Sequence, residues 1–181
     1  MDEKSRLRTL LKEKAVLRGR FVLASGRKSD YYIDCRRVTL DAEGAELVGA
    51  VVLEEAIRCG AGALAGLTMG ADPMIVAAGM TARARGYPLK MAIVRKERKT
   101  HGTRGQVEGP PLLKKDRVLV VEDVTTTGTS ALTAAEAVMR EFGCRVAGVF
   151  ALVDRGEGAA GKLKRHGIAF RAFAAVSELL E

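Results

Sequence analysis

Apolar residues in this chain recur with two spacings, one typical of helices and one typical of buried strands. From Asp41 to Cys59 the apolar positions have helical spacing, and Gly60 follows where a helix would end. Apolar runs stand at Ala63–Leu67, Val118–Val121 and Val146–Val153, and the run at Val118–Val121 consists mainly of β-branched residues. Such runs are typical of strands that are buried on both faces. The pattern therefore predicts one long helix and three central strands.

The remaining segments predict further elements of both kinds. Asp72-Pro73 opens another helix, because proline suits the first helical turn and the aspartate before it can cap that turn. The N-terminal segment predicts an amphipathic helix with Leu7, Leu10, Leu11 and Leu17 on one side. The other predicted elements are a strand at Leu89–Val94, a polar loop at Arg95–Pro111, a helix at about Thr129–Phe142 ended by Gly143, a short Lys-rich helix, a strand near Ile168–Phe173 and a terminal Val-Ser-Glu-Leu-Leu turn.

Strands that alternate with helices predict an α/β fold in which a mainly parallel central sheet has helices on both faces. The chain has 181 residues, about one domain, and no repeat or linker divides it. Ligands of such sheets bind at the carboxyl ends of the strands. The candidate chemistry should therefore lie just after the apolar runs.

Composition narrows the class of partner. The net charge of +8 favours an anionic partner, either a nucleic acid or a small polyanion. Cys35, Cys59 and Cys144 are odd in number and form no CxxC pair, and with two histidines a protein-made transition-metal site is not expected. No apolar run reaches the roughly 20 residues that cross a bilayer, and the N-terminus mixes both charge signs. We therefore expect a cytoplasmic protein with no membrane partner.

One segment combines two kinds of polar chemistry directly after an apolar run. Glu122 and Asp123 can accept hydrogen bonds from a vicinal diol or bind an oxygen-coordinated Mg²⁺. A hydroxyl-rich turn that opens a helix follows them, and such a turn can cradle a phosphate monoester. Together they predict a site for ribose 5-phosphate. The structural alternative is a helix start capped by Thr129 or Ser130, which would leave the two carboxylates unexplained. The residues of the segment are Glu122, Asp123, Val124, Thr125, Thr126, Thr127, Gly128, Thr129 and Ser130.

A second segment, from Arg95 to Gly109, is basic and rich in glycine. It carries five Arg or Lys residues, one His and three Gly after a predicted strand. A cationic loop of this kind could close over a pyrophosphate group. Taken alone, a solvated basic loop is an equally good interpretation.

The acidic pair with its Thr/Gly-rich turn closely resembles the phosphoribosyl-pyrophosphate signature of the type I phosphoribosyltransferases. The basic loop resembles that of the orotate phosphoribosyltransferases, with the matching residues in register. Purine phosphoribosyltransferases generally lack this loop pattern. The resemblance covers about residues 20–160. The matching loop residues are Arg95, Lys96, Glu97, Lys99, His101, Gly102, Glu108 and Gly109.

Two weaker matches concern the base. The segment from Ser25 to Asp34 resembles the family's N-terminal segment that lies over the base, which would place Tyr32 and Ile33 beside orotate; a hairpin with core tyrosines is the plainer interpretation. Arg155 stands where the family has an arginine that contacts orotate, and a guanidinium can pair with a carboxylate through two bonds. Thr126 is also expected near the base.

The chain departs from the family in two places. Ala24 stands where some members have a lysine, and Met69-Gly70 stands where others have Tyr-Lys in the pyrophosphate loop. Any role of those family side chains is therefore lost here or taken over by backbone N–H groups.

The resemblance implies Mg²⁺-dependent transfer of a phosphoribosyl group from phosphoribosyl pyrophosphate to orotate. Glu122 and Asp123 would hold the ribose hydroxyls, Thr125–Ser130 the 5-phosphate, and Arg95, Lys96, Lys99 and His101 the pyrophosphate. Lys99, His101 and Asp123 are the expected catalytic residues. Mg²⁺ would be held mainly by substrate oxygens, with Glu122 and Asp123 as the available side-chain ligands. The family also implies a small hood over about residues 1–40, a mobile lid over about 95–110, and a homodimer with shared active sites.

Three alternatives remain open from the residues. Gly156–Gly161 fits a dinucleotide-binding pattern after a strand, but only 20 residues follow it. Nucleic-acid binding would suit the charge, although aromatic residues make up 4% of the chain and stacking platforms are scarce; we expect no nucleic-acid partner. A purine phosphoribosyltransferase would share the main signature and differ in the base it takes.

Overall fold

The strands of the computed structural model form one large sheet and one hairpin; the model describes residues 2–22, 26–98 and 105–181. In the large sheet the order is β5-β4-β3-β6-β7-β8, and only the β4–β5 pair is antiparallel. The mainly parallel sheet confirms the predicted fold class. The strands are β1 (Val16–Val22), β2 (Lys28–Ile33), β3 (Ala63–Leu67), β4 (Lys90–Val94), β5 (Val107–Glu108), β6 (Arg117–Thr125), β7 (Arg145–Asp154) and β8 (Phe170–Ala175).

Helices cover both faces of this sheet. One core lies between the sheet and α1, α3 and α4, and the other lies between the sheet and α5 and α6. Successive side chains of β6 point to opposite faces of the sheet and so contribute to both cores. Leu119 and Val121 lie in the first core, and Val118 and Val120 lie in the second. The helices are α1 (Glu3–Leu10), which continues as a π-helical turn (Leu11–Ala15), α2 (Arg36–Thr39), α3 (Ala42–Cys59), α4 (Asp72–Ala84), α5 (Thr129–Phe142), α6 (Ala159–Arg165) and α7 (Val176–Leu180).

Local signals set the ends of the long helix α3 as predicted. The Asp41 carboxylate accepts a hydrogen bond from the Gly44 N–H at 3.1 Å, and Gly60 ends the helix in the left-handed conformation with φ 66°. Strand β3 and helix α5 also have the predicted bounds. Within the described residues, no helix is both long and apolar enough to cross a membrane.

Four local expectations were wrong. Leu17 lies in β1 and not in the N-terminal helix, because that helix ends at Ala15. Asp72 lies inside the first turn of α4 and accepts a hydrogen bond from the Thr68 hydroxyl at 2.7 Å, so it is not the cap. The predicted loop at 95–111 contains β5, which pairs with the edge strand β4. The terminal segment forms the helix α7, whose Glu178 accepts a hydrogen bond from the Ala175 N–H.

Candidate active site

An open cavity of about 1220 Å³ lies at the carboxyl ends of β3, β6 and β7, where the topology predicts a ligand site. The hairpin β1–β2 closes one side of it. The cavity is lined by Arg27, Tyr32, Ile33, Asp34, Arg36, Leu67, Thr68, Met69, Gly70, Lys96, Glu122, Asp123, Val124, Thr126, Thr127, Ser130, Arg155, Gly156 and Glu157.

The two acidic residues lie within a strand that runs further than predicted. Strand β6 continues past Val121 to Thr125, because residues 122, 124 and 125 still pair with β7. Neighbouring residues of a strand point to opposite faces of the sheet, so Glu122 and Asp123 reach the cavity from different sides. They can therefore hold two different hydroxyls of one diol.

Both carboxyl groups are poorly solvated. Burial and then the charge of Asp123 raise the pKa of Glu122 to about 7, while the nearby hydroxyls of Ser130 and Thr125 act in the opposite direction. Burial also raises the pKa of Asp123. The Glu122 Oε2 atom is buried and has no hydrogen-bond partner. A buried acceptor of this kind is ready for a donor from a ligand.

The hydroxyl-rich turn leads into α5 without a side-chain cap. Gly128 is the N-cap residue, with φ 75°, and no side chain bonds to the first-turn N–H groups. The structural alternative, in which Thr129 or Ser130 caps the helix, is therefore wrong. Uncapped N–H groups at the start of a 14-residue helix are able to bind an anion.

The side chains of the turn divide into two groups. Thr126, Thr127, Ser130 and Val124 line the cavity. Thr125 is buried, and its hydroxyl belongs to the interior. Thr129 faces the other side of the turn, where it lies 2.9 Å from the Thr127 hydroxyl and accepts a hydrogen bond from Lys162 Nζ at 2.6 Å. Sequence reasoning missed Lys162, which lies in α6, 33 residues further along the chain.

The loop after β3 lines the cavity next to Asp123. Gly70 lies so close to Asp123 that a Cβ atom at this position would stand 2.3 Å from Oδ1 and 2.7 Å from Oδ2. A residue with a side chain would displace the carboxylate. The glycine that departs from the family pattern is thus fitted to the acidic residue beside it.

Arg36 is a cationic residue of the cavity that the sequence did not single out. Its Nε atom donates to Asp34 Oδ1 at 2.7 Å, and its Nη2 atom donates to Oδ2 at 3.1 Å. This pairing lowers the pKa of Asp34. The residue lies two positions after the segment 25–34 that resembles the family's base-side segment, and nothing in its local pattern marks it.

The base side of the cavity is built by distant segments. Arg155 is nearly buried, with 9% of its side chain exposed, and its guanidinium lies 5.2 Å from the centre of the Tyr31 ring. Its Nε atom is 3.2 Å from Glu157 Oε1 yet forms no hydrogen bond. Glu157 also pairs with Arg27, which directly precedes β2 in the hairpin. Arg27 and Glu157 were missed, because a charge pair 130 residues apart leaves no local signal.

The hairpin interpretation of the segment 25–34 is partly right. Lys28–Ile33 pairs with β1, and Tyr31 packs against the core. Tyr32 and Ile33, however, line the cavity, and their predicted place beside the base stays a prediction. The Tyr32 and Phe21 rings are tilted against each other, with their centroids 5.7 Å apart.

The basic segment is described only in part. Lys96 lines the cavity. Arg95 lies outside the lining and pairs with Glu108 at 3.7 Å, and its backbone N–H donates to the Gln106 carbonyl at 2.8 Å. Lys99 and His101, two of the predicted catalytic residues, lie outside the described residues.

Comparison with known proteins agrees with this geometry. The phosphoribosyl transferase domain family matches residues 64–170. The orotate phosphoribosyltransferase of Streptomyces avermitilis is 50% identical over 163 residues, which are 90% of this chain and 88% of that protein. Two crystal structures of Mycobacterium tuberculosis orotate phosphoribosyltransferase are also similar. One, with Fe(III) dicitrate, has a TM-score of 0.86 at 38% identity over 98% of this chain and 99% of the other. The other, with 5-phospho-alpha-D-ribosyl 1-diphosphate, has a TM-score of 0.83 at 35% identity over 99% of this chain and 100% of that chain. This chain belongs to the orotate phosphoribosyltransferases.

Proposed function

We propose that the cavity joins orotate to the ribose of 5-phospho-α-D-ribose 1-diphosphate and releases pyrophosphate, giving orotidine 5′-monophosphate for pyrimidine synthesis. Two buried polar atoms without hydrogen-bond partners carry this proposal. Glu122 Oε2 is an acceptor for a ribose hydroxyl, and Arg155 Nε is a donor for an anionic base. Both residues line the same cavity.

The 5-phosphate fits the turn that opens α5. Thr126, Thr127 and Ser130 supply hydroxyl donors to the cavity, and the uncapped N–H groups after Gly128 supply backbone donors. Lys162 adds positive charge behind this turn through Thr129. With the phosphate held here, the ribose hydroxyls would reach Glu122 and Asp123.

Orotate fits the side formed by Tyr32, Ile33 and Arg155. Its carboxylate can pair with the nearly buried guanidinium, whose position is supported by the Tyr31 ring. Orotate is already anionic at neutral pH, so the site needs no strong general base. Thr126 also lines the cavity, and we assign it to both the phosphate and the base.

Breaking the anomeric bond places negative charge on the leaving pyrophosphate. Lys96 lines the cavity on that side, and we assign Arg95, Lys99 and His101 to the same task as parts of a lid over about residues 95–110. Preorganised donors of this kind are worth about 2.7–4 kcal/mol each. A hood formed by about residues 1–40 would cover the base.

The residues present fit a Mg²⁺ ion that is carried by the substrate. Among the described residues no cluster of three His, Cys, Asp or Glu side chains could hold a metal alone. Glu122 and Asp123 offer two carboxylates beside the ribose position, and one or two carboxylates with substrate oxygens are the usual Mg²⁺ ligands. When bound, the ion would neutralise charge on the pyrophosphate.

We also propose a homodimer that shares its active sites. Val76 and Met80 lie four residues apart on α4 and are 49% and 70% exposed, which leaves an apolar stripe beside the cavity loop. A second copy of the chain would cover this stripe. Sizing chromatography with light scattering should give a dimer, and an active monomer would refute it.

The three cysteines support a reducing compartment, which we take to be the cytoplasm. Cys35 and Cys144 are buried and Cys59 is half-buried, and all three are free thiols. A fusion to a fluorescent protein in the source cell would test the location.

The experiment that tests the activity follows orotate absorbance with phosphoribosyl pyrophosphate and Mg²⁺, with adenine, hypoxanthine and uracil in parallel. Mg²⁺-dependent loss of orotate alone is the expected result. If adenine or hypoxanthine were consumed and orotate were not, the assignment of orotate as the base would be wrong. No turnover of any base would overturn the proposed function.

A further inference from the structure

The wall of the cavity that faces Asp123 contains a loop without charge. Leu67, Thr68, Met69 and Gly70 line it, and none of them carries a charged side chain. Gly70 cannot be replaced by a longer residue without a clash, because the place of its Cβ is taken by the Asp123 carboxylate. A polyanionic group next to this wall therefore needs its positive charge from another element.

Among the cavity-lining cations that the structure describes, Arg36 differs from the others in the residues that surround it. Arg27 and Arg155 are paired with Glu157 on the base side, and Lys96 belongs to the segment after β4. Arg36 lies beside Asp123 instead. Burial raises the pKa of Asp123, and the charge of Arg36 acts against this rise. The Arg36 side chain is 42% exposed, so it can reach a ligand in the cavity.

Asp34 holds the Arg36 side chain in one orientation. The Asp34 carboxylate accepts hydrogen bonds from Arg36 Nε at 2.7 Å and from Nη2 at 3.1 Å. Its Oδ1 atom also accepts one from the Arg36 backbone N–H at 3.2 Å. Nη1 is left without a bond to Asp34. A guanidinium that is fixed along one edge presents its remaining N–H donors without further loss of side-chain freedom.

We propose that Arg36 binds the pyrophosphate of the substrate and provides the cation that the loop 67–70 lacks. The assignment rests on the proposed function and adds a residue to it. Asp34 is then a positioning residue, since it acts through Arg36. The ligand chemistry is a diphosphate, either as the group on ribose C1 or as the free product.

The adjacent residue offers a matched control. Arg37 carries the same charge one position further along α2, is exposed, and does not line the cavity. Arg36→Gln and Arg37→Gln therefore change the net charge equally and differ in what the side chain faces. Steady-state kinetics would give KM for phosphoribosyl pyrophosphate and for orotate, and inorganic pyrophosphate with Mg²⁺ would be titrated as an inhibitor.

For Arg36→Gln we expect KM for phosphoribosyl pyrophosphate and the inhibition constant of pyrophosphate to rise about tenfold, since a charged hydrogen bond is lost. KM for orotate should stay within twofold. Arg37→Gln should leave all three constants within twofold. Arg36→Lys keeps the positive charge but lacks the planar guanidinium with its paired N–H donors. Its constants for phosphoribosyl pyrophosphate and pyrophosphate should therefore lie between those of wild type and Arg36→Gln, and this variant can be measured even if Arg36→Gln folds poorly.

Unchanged pyrophosphate and phosphoribosyl pyrophosphate constants in Arg36→Gln would overturn the proposal. So would an equal loss in Arg37→Gln, which would indicate a general charge effect, or no recovery in Arg36→Lys. In each of these cases the wild-type enzyme still consumes orotate. A failure of the Arg36 proposal can therefore be distinguished from a failure of the proposed function.

Discussion

The ribose-phosphate side of the cavity and the base side are built in different ways. Nine consecutive residues, Glu122–Ser130, contribute the acidic pair and the phosphate turn, and their backbone path from β6 into α5 sets the geometry. The base side joins Tyr32 on the hairpin with Arg155 and Glu157 after β7. The first side depends on local backbone conformation, and the second depends on contacts between distant segments. Substitutions on the two sides should therefore have different signatures.

The largest effect is expected on the base side, from Arg155→Ala. Removing one partner of a nearly buried charge pair costs about 2–5 kcal/mol, so kcat/KM for orotate should fall by about 10²–10³-fold. KM for phosphoribosyl pyrophosphate should stay within twofold. Arg165→Ala, an exposed arginine on α6, serves as the control in the same assay. If Arg155→Ala weakened the use of phosphoribosyl pyrophosphate as much as that of orotate, the base side and the ribose-phosphate side would not be separate.

On the ribose side, Gly70→Ala should lower turnover by about 10²-fold, because the new Cβ would displace the Asp123 carboxylate and a shift of about 1 Å has an effect of this size. Gly62→Ala is the matched control, since no atom lies within 4 Å of its Cβ position. Steady-state kinetics of both variants would test this. A fully active Gly70→Ala enzyme would contradict the assigned place of Asp123.

A smaller effect is expected from Gly128→Ala at the phosphate turn. The left-handed conformation with φ 75° costs a residue with a side chain about 1–2 kcal/mol, and Ala159 leaves only 3.2–3.3 Å for the new Cβ. KM for phosphoribosyl pyrophosphate should rise about tenfold. The comparison is Gly161→Ala within α6, whose Cβ would meet only Arg165 at 3.7 Å. An unchanged KM in Gly128→Ala would show that the turn's backbone does not bind the phosphate.

The last effect is on stability and not on kinetics, and it depends on pH. The pKa of Glu122 is raised from 4.5 to about 7 in the folded protein, so folding favours the protonated form. Its stabilising contribution is complete below about pH 4.5 and is lost as the pH rises through 7, which amounts to about 3 kcal/mol at pH 8. Glu122→Gln stays neutral and should raise Tm by roughly 5–10 °C at pH 8 and little at pH 5.

Thermal unfolding in EDTA would measure this effect, with Glu136→Gln on the exposed side of α5 as the control. An equal shift of Tm at both pH values would contradict the buried state of Glu122. A stabilised but inactive Glu122→Gln enzyme would show that the carboxylate is kept for substrate binding at a cost in stability.

The two sides of the cavity also differ in how far the sequence predicts them. The acidic pair, the turn and the helix α5 lie in one segment, so hydrophobic pattern and residue chemistry were enough to find them. The extension of β6 to Thr125 was missed because charged residues do not look like a buried strand, although they still pair with β7. Likewise β5 was missed, since a strand of two residues gives no periodic signal.

On the base side, the sequence marked Arg155, Tyr32 and Ile33 only through resemblance to a family. The pairing of Glu157 with Arg27 and the orientation of Arg36 by Asp34 come from tertiary placement and turn contacts, which hydrophobic periodicity does not encode. The departure from the family's Tyr-Lys pair was visible at Met69-Gly70, but the close approach of Gly70 to Asp123 required the three-dimensional structure.

The most direct test of the two-sided site is the affinity of Mg²⁺-phosphoribosyl pyrophosphate, measured by titration calorimetry for wild type, Arg155→Ala and Gly70→Ala. We expect Arg155→Ala to bind within twofold of wild type, and Gly70→Ala to bind at least about tenfold more weakly because the Asp123 carboxylate has moved. If Arg155→Ala weakened this binding as much as Gly70→Ala, the cavity would not consist of two independently built sides.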